Sequence, residues 1–365
     1  MKIAVVTMHA ARNYGAVLQT YALQNYIEKN KNNVEIIDYR LHNQSFFGYL
    51  TNVNKKFKRN MFLKCLYIGK TFIPKIRTTI LFQDFLKRKI NLSDRVIFNS
   101  DGLINYPKAD IYITGSDQVW NPRANNGFNQ IYFLENAPGK KISYASSVGI
   151  DDLTSDEVQK LKVNLSTYDS ISVREVSTIP ILNKIGIDAK CVLDPTLLLT
   201  VDDWKNFCGE KYNCEPYVLV YFFGNSKSAM DVAKQIADSR GLRIVRIAVG
   251  FEKYNTDDIV ERFITPEKFI SLFLNSSYVI TNSFHGTIFS INFKKQFLSY
   301  PTTEHNARFE SVFNMFNLHD RNLRNINKEN IINIQDIDYK IVSKELDVMR
   351  KVSYDYLQNN LILEV

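Results

Sequence analysis

Four cysteines in 365 residues (Cys65, Cys191, Cys208 and Cys214) show neither CxxC spacing nor a pairing pattern. That scarcity argues against a disulfide scaffold or a zinc cluster and fits a reducing compartment. Also absent is an apolar run of about eighteen residues, so no membrane-spanning helix is expected. There is no GxGxxG fingerprint, internal repeat or low-complexity tract. The chain opens Met1-Lys2-Ile3-Ala4-Val5-Val6, which reads directly as a strand, so no signal peptide and a cytoplasmic protein are expected. What remains is an ordinary globular composition, 45% hydrophobic and 23% charged, long enough for two cores.

Charge is unevenly placed. The window Lys55–Lys89 holds eleven basic residues and one acid, Asp84, for +10 against +8 in the whole chain. The basic residues alternate with large apolar ones such as Phe57, Met61, Phe62, Leu66 and Phe72. Such a stretch suits an anionic membrane surface and, less well, nucleic acid, since no recognised module is present. A helical insertion with a solvated basic face gives the same pattern.

Along the chain, apolar runs alternate with helical periodicity. Residues 2–7 read as a strand, a loop through Asn13, Tyr14 and Gly15 opens a helix to about Asn30, and 34–38 is the next strand. This is a parallel βαβ unit, whose ligands gather at strand carboxyl ends. Residues 44–92 form the basic insertion, expected as helices ending in one over 78–89. Strand 111–114 then runs into Gly115-Ser116-Asp117-Gln118-Val119-Trp120-Asn121-Pro122. There Asp117 and Gln118 suit hydroxyls and Trp120 a sugar's apolar face, or else a helix cap and a core ring. Strand 142–149, helix 155–167 and strand 170–175 follow. Arg174 at that strand's end suits a carboxylate or phosphate, or alternatively a salt bridge to Glu175. Pro195 closes this half.

A second α/β half has strands at 217–223, 242–249, 278–280 and 296–300, with helices at 227–240 and 266–274. Arg308 falls near the start of the next helix, and an amphipathic helix covers 336–361. The predicted organisation is therefore an N-terminal Rossmann-like lobe over 1–200, a C-terminal one over 201–335, and a closing helix over 336–365. Chemistry concentrates in Thr281-Asn282-Ser283-Phe284-His285-Gly286-Thr287, a strand turning directly into a helix. Ser283 or Thr281 caps that helix, Gly286 admits a ligand to the backbone, and the exposed N–H groups attract an anion. His285 is placed there to move a proton.

These blocks resemble those of polysaccharide pyruvyl transferases: Asn13 to Gln19, Gly115 to Pro122, Ser172-Val173-Arg174-Glu175, Asp194-Pro195 and Asn282 to Gly286 occur in the family's order. Two such halves and a closing helix look like the B-type glycosyltransferase fold, with the active site in the cleft. The resemblance implies transfer of a pyruvyl group from phosphoenolpyruvate to a pair of sugar hydroxyls on a bacterial surface glycan. It implies a co-substrate and no further cofactor or metal. His285 and Asp117 would be catalytic, and Ser283, Gly286, Thr287, Arg308 and Arg174 would hold the donor. Asn13, Tyr14, Gly15, Gln118 and Trp120 would hold the glycan acceptor. One position departs: many members carry Arg-x-His where this chain has Ser283-Phe284-His285. Arg308 or Arg174 is left to supply that charge. The competing readings are a nucleotide-sugar glycosyltransferase on the same scaffold and a non-catalytic glycan-assembly partner.

Overall fold

The structure, a computed structural model, describes residues 1–53, 60–98, 105–125, 127–150, 152–209, 215–224, 227–248, 258–301, 306–326 and 328–362. Cys214 and the basic residues at 54–59 lie outside the described residues. The first lobe contains β1 (Lys2–Val6), α1 (Tyr14–Lys29), β2 (Asn33–Ile36), β3 (Tyr39–Arg40), α2 (Phe46–Thr51), α3 (Met61–Lys89) and β4 (Ile97–Phe98). It continues through β5 (Ile111–Thr114), β6 (Lys140–Ser143), α4 (Ser155–Leu165), β7 (Ser172–Val173), α5 (Thr178–Lys184) and β8 (Lys190–Cys191). Its main sheet is parallel, in the order β2-β1-β5-β6, and single bridges from Ile142 to Ser170 and from Ser146 to Val173 carry the ladder on to β7.

The second lobe follows α6 (Val201–Cys208). It comprises β9 (Tyr217–Tyr221), α7 (Lys227–Arg240), β10 (Arg243–Ile247), β11 (Ile259–Glu261), α8 (Pro266–Asn275), β12 (Tyr278–Thr281), α9 (Phe284–Asn292), β13 (Gln296–Ser299) and α10 (Asn306–Phe316). Its sheet is also parallel, in the order β11-β10-β9-β12-β13. The central strands β5, β9 and β12 are buried throughout, so their sequences run apolar rather than alternating. Helix starts follow their capping residues. Asn13 accepts from the Gly15 N–H, Thr154 forms a box with Glu157, and Thr265 caps α8 with Pro266 in its first turn.

Two sequence expectations need correcting. The insertion's final helix does not begin near residue 78; α3 is one 29-residue helix that runs through Pro74. A proline removes one helical hydrogen bond, but Thr79, Phe82 and Phe85 beyond it are buried and hold the helix on the lobe. The expected strand over 142–149 stops at Ser143, because Ala145 adopts a left-handed conformation (φ 51°) and bends the chain.

The closing helix α11 (Tyr339–Asn360) belongs to neither lobe alone. Tyr356 Oη donates to Ser143 O, Ser353 Oγ accepts from the Leu193 N–H, and Arg350 reaches both Leu197 O and Asn292 Oδ1. At the opposite side of the joint, Tyr14 on α1 stacks on Phe269 of α8 at 4.4 Å between centroids, and its hydroxyl donates to Ile264 O at 2.9 Å. Tyr14 is thus a peg between lobes, which leaves its hydroxyl spoken for. Tyr14→Ala should therefore destabilise the protein by about 3–5 kcal/mol and Tyr14→Phe by only about 1 kcal/mol, read from denaturant midpoints.

Candidate active site

The carboxyl ends of both sheets face a cleft with a cavity of about 450 Å³. Its lining includes Asn13, Asp117 and Gln118 from the first lobe and Phe223, Asn282, Ser283, His285 and Arg308 from the second. Each wall is built by a local feature of the chain. Ser283 caps α9, with Oγ accepting from the Gly286 N–H, while Thr281 Oγ1 accepts from the Ser283 N–H. Ser283, not Thr281, is therefore the cap. Asn282 clamps the backbone of Phe223 in both directions, accepting from its N–H at 2.8 Å and donating to its carbonyl at 2.9 Å. Asp117 holds a left-handed conformation (φ 73°), which aspartate tolerates because its side chain bonds locally, here accepting from the Gln118 N–H.

His285 stands in the first turn of α9 with only 7% of its surface exposed. Its ring rests on the first turn of α1 across the cleft: a Cβ on Gly15 would lie 2.0 Å from His285 Nδ1. Glycine is needed at position 15 so that one lobe's backbone can meet the other's imidazole. The contact places Gly15 against the histidine rather than against a sugar. Burial pushes the His285 pKa below its ordinary value, while Asp194 and Asp117 pull it partly back. The imidazole is neutral at pH 7, a form able to accept a proton.

Behind the histidine lies a buried ion network. Arg174 donates from Nε to Glu175 Oε1 at 3.1 Å and from Nη1 to Asp194 Oδ2 at 3.0 Å. Asp194 also accepts from the Thr196 N–H and hydroxyl and from Ser116, and its Oδ2 lies 3.8 Å from His285 Nε2. Despite full burial, these partners hold the Asp194 carboxyl below the usual carboxylate range. Arg174 is accordingly spent inside the protein, the salt-bridge alternative left open by the sequence. Asp194 and Glu175 were visible only as parts of short motifs, and their pairing required the fold.

Arg308 differs. It enters from the first turn of α10, is 7% exposed, and its Nε has no hydrogen-bond partner among the described residues. Burial first, then neighbouring Arg174, lowers its pKa to about 10, so it stays charged at neutral pH. Both guanidinium groups lie over the ring of Phe284, Arg174 at 4.5 Å and Arg308 at 5.6 Å from its centre. His285 Nε2, Arg174 Nη2 and Glu175 Oε2 are likewise buried without a partner. Two of these atoms, Arg308 Nε and His285 Nε2, belong to residues lining the cavity, and among the described residues their lack of partners points to a missing polar ligand. Among the described residues, no three His, Cys, Asp or Glu side chains come together as a metal site.

Three further expected site residues are placed elsewhere. Trp120 is fully buried, stacked on Phe133 with Nε1 donating to Tyr132 O, so neither ring face is open to a sugar. Gly286 serves packing rather than ligand approach, since a Cβ there would lie 2.5 Å from Thr281 Oγ1. Thr287 is buried and bonded to Ser283 O and Ser299 Oγ. Gln118 does line the cavity, its Oε1 accepting from Asn121.

The profile of the family described as Polysaccharide pyruvyl transferase matches residues 13–304, well over half of the chain. The chain belongs to that family. No curated protein matches it. A putative UDP-N-acetylglucosamine 2-epimerase from Listeria monocytogenes is similar in structure, at TM-score 0.53 and 11% identity, covering 96% of this chain and 90% of its own. The S. aureus MnaA–UDP co-structure gives TM-score 0.52 and 13% identity over 100% and 98%. At such identities the likeness is one of fold, the two-lobed B-type glycosyltransferase architecture.

The two arginines should separate in mutagenesis. Arg174→Ala should destabilise the fold by about 3–5 kcal/mol, because it strands two buried carboxylates. Arg308→Met, which removes an unpaired buried charge, should leave the denaturant midpoint unchanged or higher.

Proposed function

We propose that this pyruvyl transferase moves a pyruvyl group from phosphoenolpyruvate to two hydroxyls of a bacterial surface polysaccharide or its lipid-linked precursor, closing a pyruvate ketal. The observation that carries this reading is the buried, charged guanidinium of Arg308 beside the neutral imidazole of His285, with Arg308 Nε and His285 Nε2 both lacking a hydrogen-bond partner among the described residues. A small dianionic donor completes both. Arg308 then supplies the charge that many family members place at position 283, where this chain has the cap Ser283.

The chemistry balances with these groups. His285, neutral in the free protein, takes the proton of the first attacking hydroxyl as its oxygen bonds to the central carbon of the donor. The imidazolium so formed is stabilised by Asp194 and Asp117. It passes that proton to the methylene carbon, which becomes the methyl group. The second hydroxyl then adds to the same carbon as the carbon–phosphate oxygen bond breaks. Its proton leaves with inorganic phosphate, and Arg308 offsets the charge of the departing group. Asp117 and Gln118 remain to orient the sugar.

His285→Ala should lower phosphate release from phosphoenolpyruvate by roughly 10²–10⁴-fold with little change in stability. Because burial depresses the His285 pKa and the base must be neutral, the acidic limb of kcat/KM should lie below the ordinary histidine value of about 6.5. Asp117→Asn keeps the left-handed backbone but removes a charge that raises this pKa, so the limb should move to still lower pH. A pH–rate series on the two proteins checks the sign. Binding of UDP-sugars without any phosphate release from phosphoenolpyruvate would instead favour glycosyl transfer.

We also propose that the protein works at the inner face of the cell membrane, against an anionic leaflet. No helix among the described residues is long and apolar enough to cross a membrane. Yet the start of α3 and neighbouring α2 present Met61 at 73%, Phe62 at 71%, Ile73 at 63% and Phe47 at 77% exposure. Lys64, Lys70 and Arg77 share that part of α3, which has no acid before Asp84. Each cation near an anionic leaflet contributes about 1 kcal/mol, and salt screens it. Binding to anionic liposomes, absent with neutral ones and reduced by salt, should be lost in Phe62→Glu with Ile73→Glu, as read by flotation. Activity on a short soluble glycoside should survive that pair.

A further inference from the structure

A second cavity, of about 300 Å³, adjoins the first; Asn13 and Phe223 line both. That volume is at the lower end of ligand pockets, about 300–1,000 Å³. One side is the insertion, with Tyr49 from α2 and Tyr67 and Lys75 from α3, and the other is the second lobe's Tyr221, Phe223, Arg262 and Phe263. Arg12, in the loop before α1, forms part of the lining between them. The pocket thus pairs aromatic rings with cations, and no carboxylate is among the described residues of its lining.

The charge of this lining is unbalanced. Among the described residues, Arg12 is met only by neutral groups: Nε donates to Thr79 Oγ1 at 3.0 Å, Nη1 to Gln44 O at 3.1 Å, and its guanidinium lies 4.1 Å from the centre of the Tyr49 ring. Lys75 donates to Leu50 O and Asn52 O and lies 5.5 Å from the ring centres of both Tyr49 and Tyr67. Carbonyls and rings orient a cation without neutralising it. Two part-buried cations fixed in place around an aromatic cavity form a site for an anion attached to a flat or ring-shaped group.

We propose that this pocket binds the phosphate-bearing end of a sugar phosphate, the acceptor whose hydroxyls reach His285 through the shared opening at Asn13 and Phe223. The inference rests on the pyruvyl-transfer reading for the acceptor's role, but not for the pocket's ligand class. The aromatic rings take the apolar face of the sugar, and Arg12 and Lys75 take its phosphate. The same chemistry is offered by a sugar phosphate ester or by a nucleoside diphosphate sugar.

Titration calorimetry on the full chain decides it, with galactose 1-phosphate, UDP-galactose and methyl galactoside as probes. The phosphate ester should bind at least about ten-fold more tightly than the neutral glycoside. Lys75→Gln still donates to both carbonyls, so it should fold, keep its melting temperature and lose about ten-fold in affinity for the phosphate ester alone. Tyr49→Ala should weaken both phosphate probes. UDP-galactose binding at least ten-fold tighter than the phosphate ester, with UDP competing, assigns the anion to a nucleotide. Comparable affinities assign it to the sugar phosphate alone. Equal binding of the neutral and phosphorylated sugars, or an unchanged affinity in a folded Lys75→Gln protein, overturns the proposal. Phosphate release from phosphoenolpyruvate is measured separately: a chain that binds the sugar phosphate but never consumes that donor keeps the pocket and loses the reaction.

Discussion

The buried carboxylate of Asp194 is the constraint on which the site depends. A lone charge so far from water would be neutralised or expelled. Here it persists because Thr196, Ser116 and Arg174 all donate to it. The consequence reaches across the cleft. Asp194 belongs to the first lobe, yet its Oδ2 lies 3.8 Å from Nε2 of His285 in the second. The histidine is held by a carboxylate on one side and by the bare backbone of Gly15 on another. Its ionisation is therefore a property of how the lobes meet, not of either lobe.

That arrangement divides the positive charges by task. Arg174 binds two carboxylates through Nε and Nη1 and fixes the floor of the site. Arg308, in contact with the same Phe284 ring, lacks a counter-ion at hydrogen-bond distance among the described residues. Charge left uncompensated in a folded protein destabilises it, and binding energy from an anionic ligand is the ready offset. The adjoining aromatic pocket repeats the logic with Arg12 and Lys75. Together they describe a cleft with two anion-seeking ends joined at Asn13 and Phe223.

The insertion gives these features a setting. Its long helix α3 contributes buried Phe82 and Phe85 to the first lobe, Tyr67 and Lys75 to the second pocket, and an exposed apolar and basic stretch at its start. One element thereby connects the core, a ligand cavity and the surface. Pro74 does not break it, because tertiary contacts on the far side outweigh one lost hydrogen bond.

Patterns that act within a few residues were legible in the sequence alone. The buried strands β5, β9 and β12, the loop through Asn13 that opens α1, the Ser283–His285 helix start and the two-lobed order all follow from apolar runs, capping chemistry and turn residues. What the sequence could not decide was every question about which side of a residue faces what. Trp120 looked like a stacking platform and is core, because its partners Phe133 and Tyr132 arrive from farther along the chain. Arg174 and Arg308 were equivalent as letters. Only tertiary structure places two carboxylates on one and, among the described residues, none within hydrogen-bond reach of the other, since electrostatic energy depends on distance through space rather than along the chain.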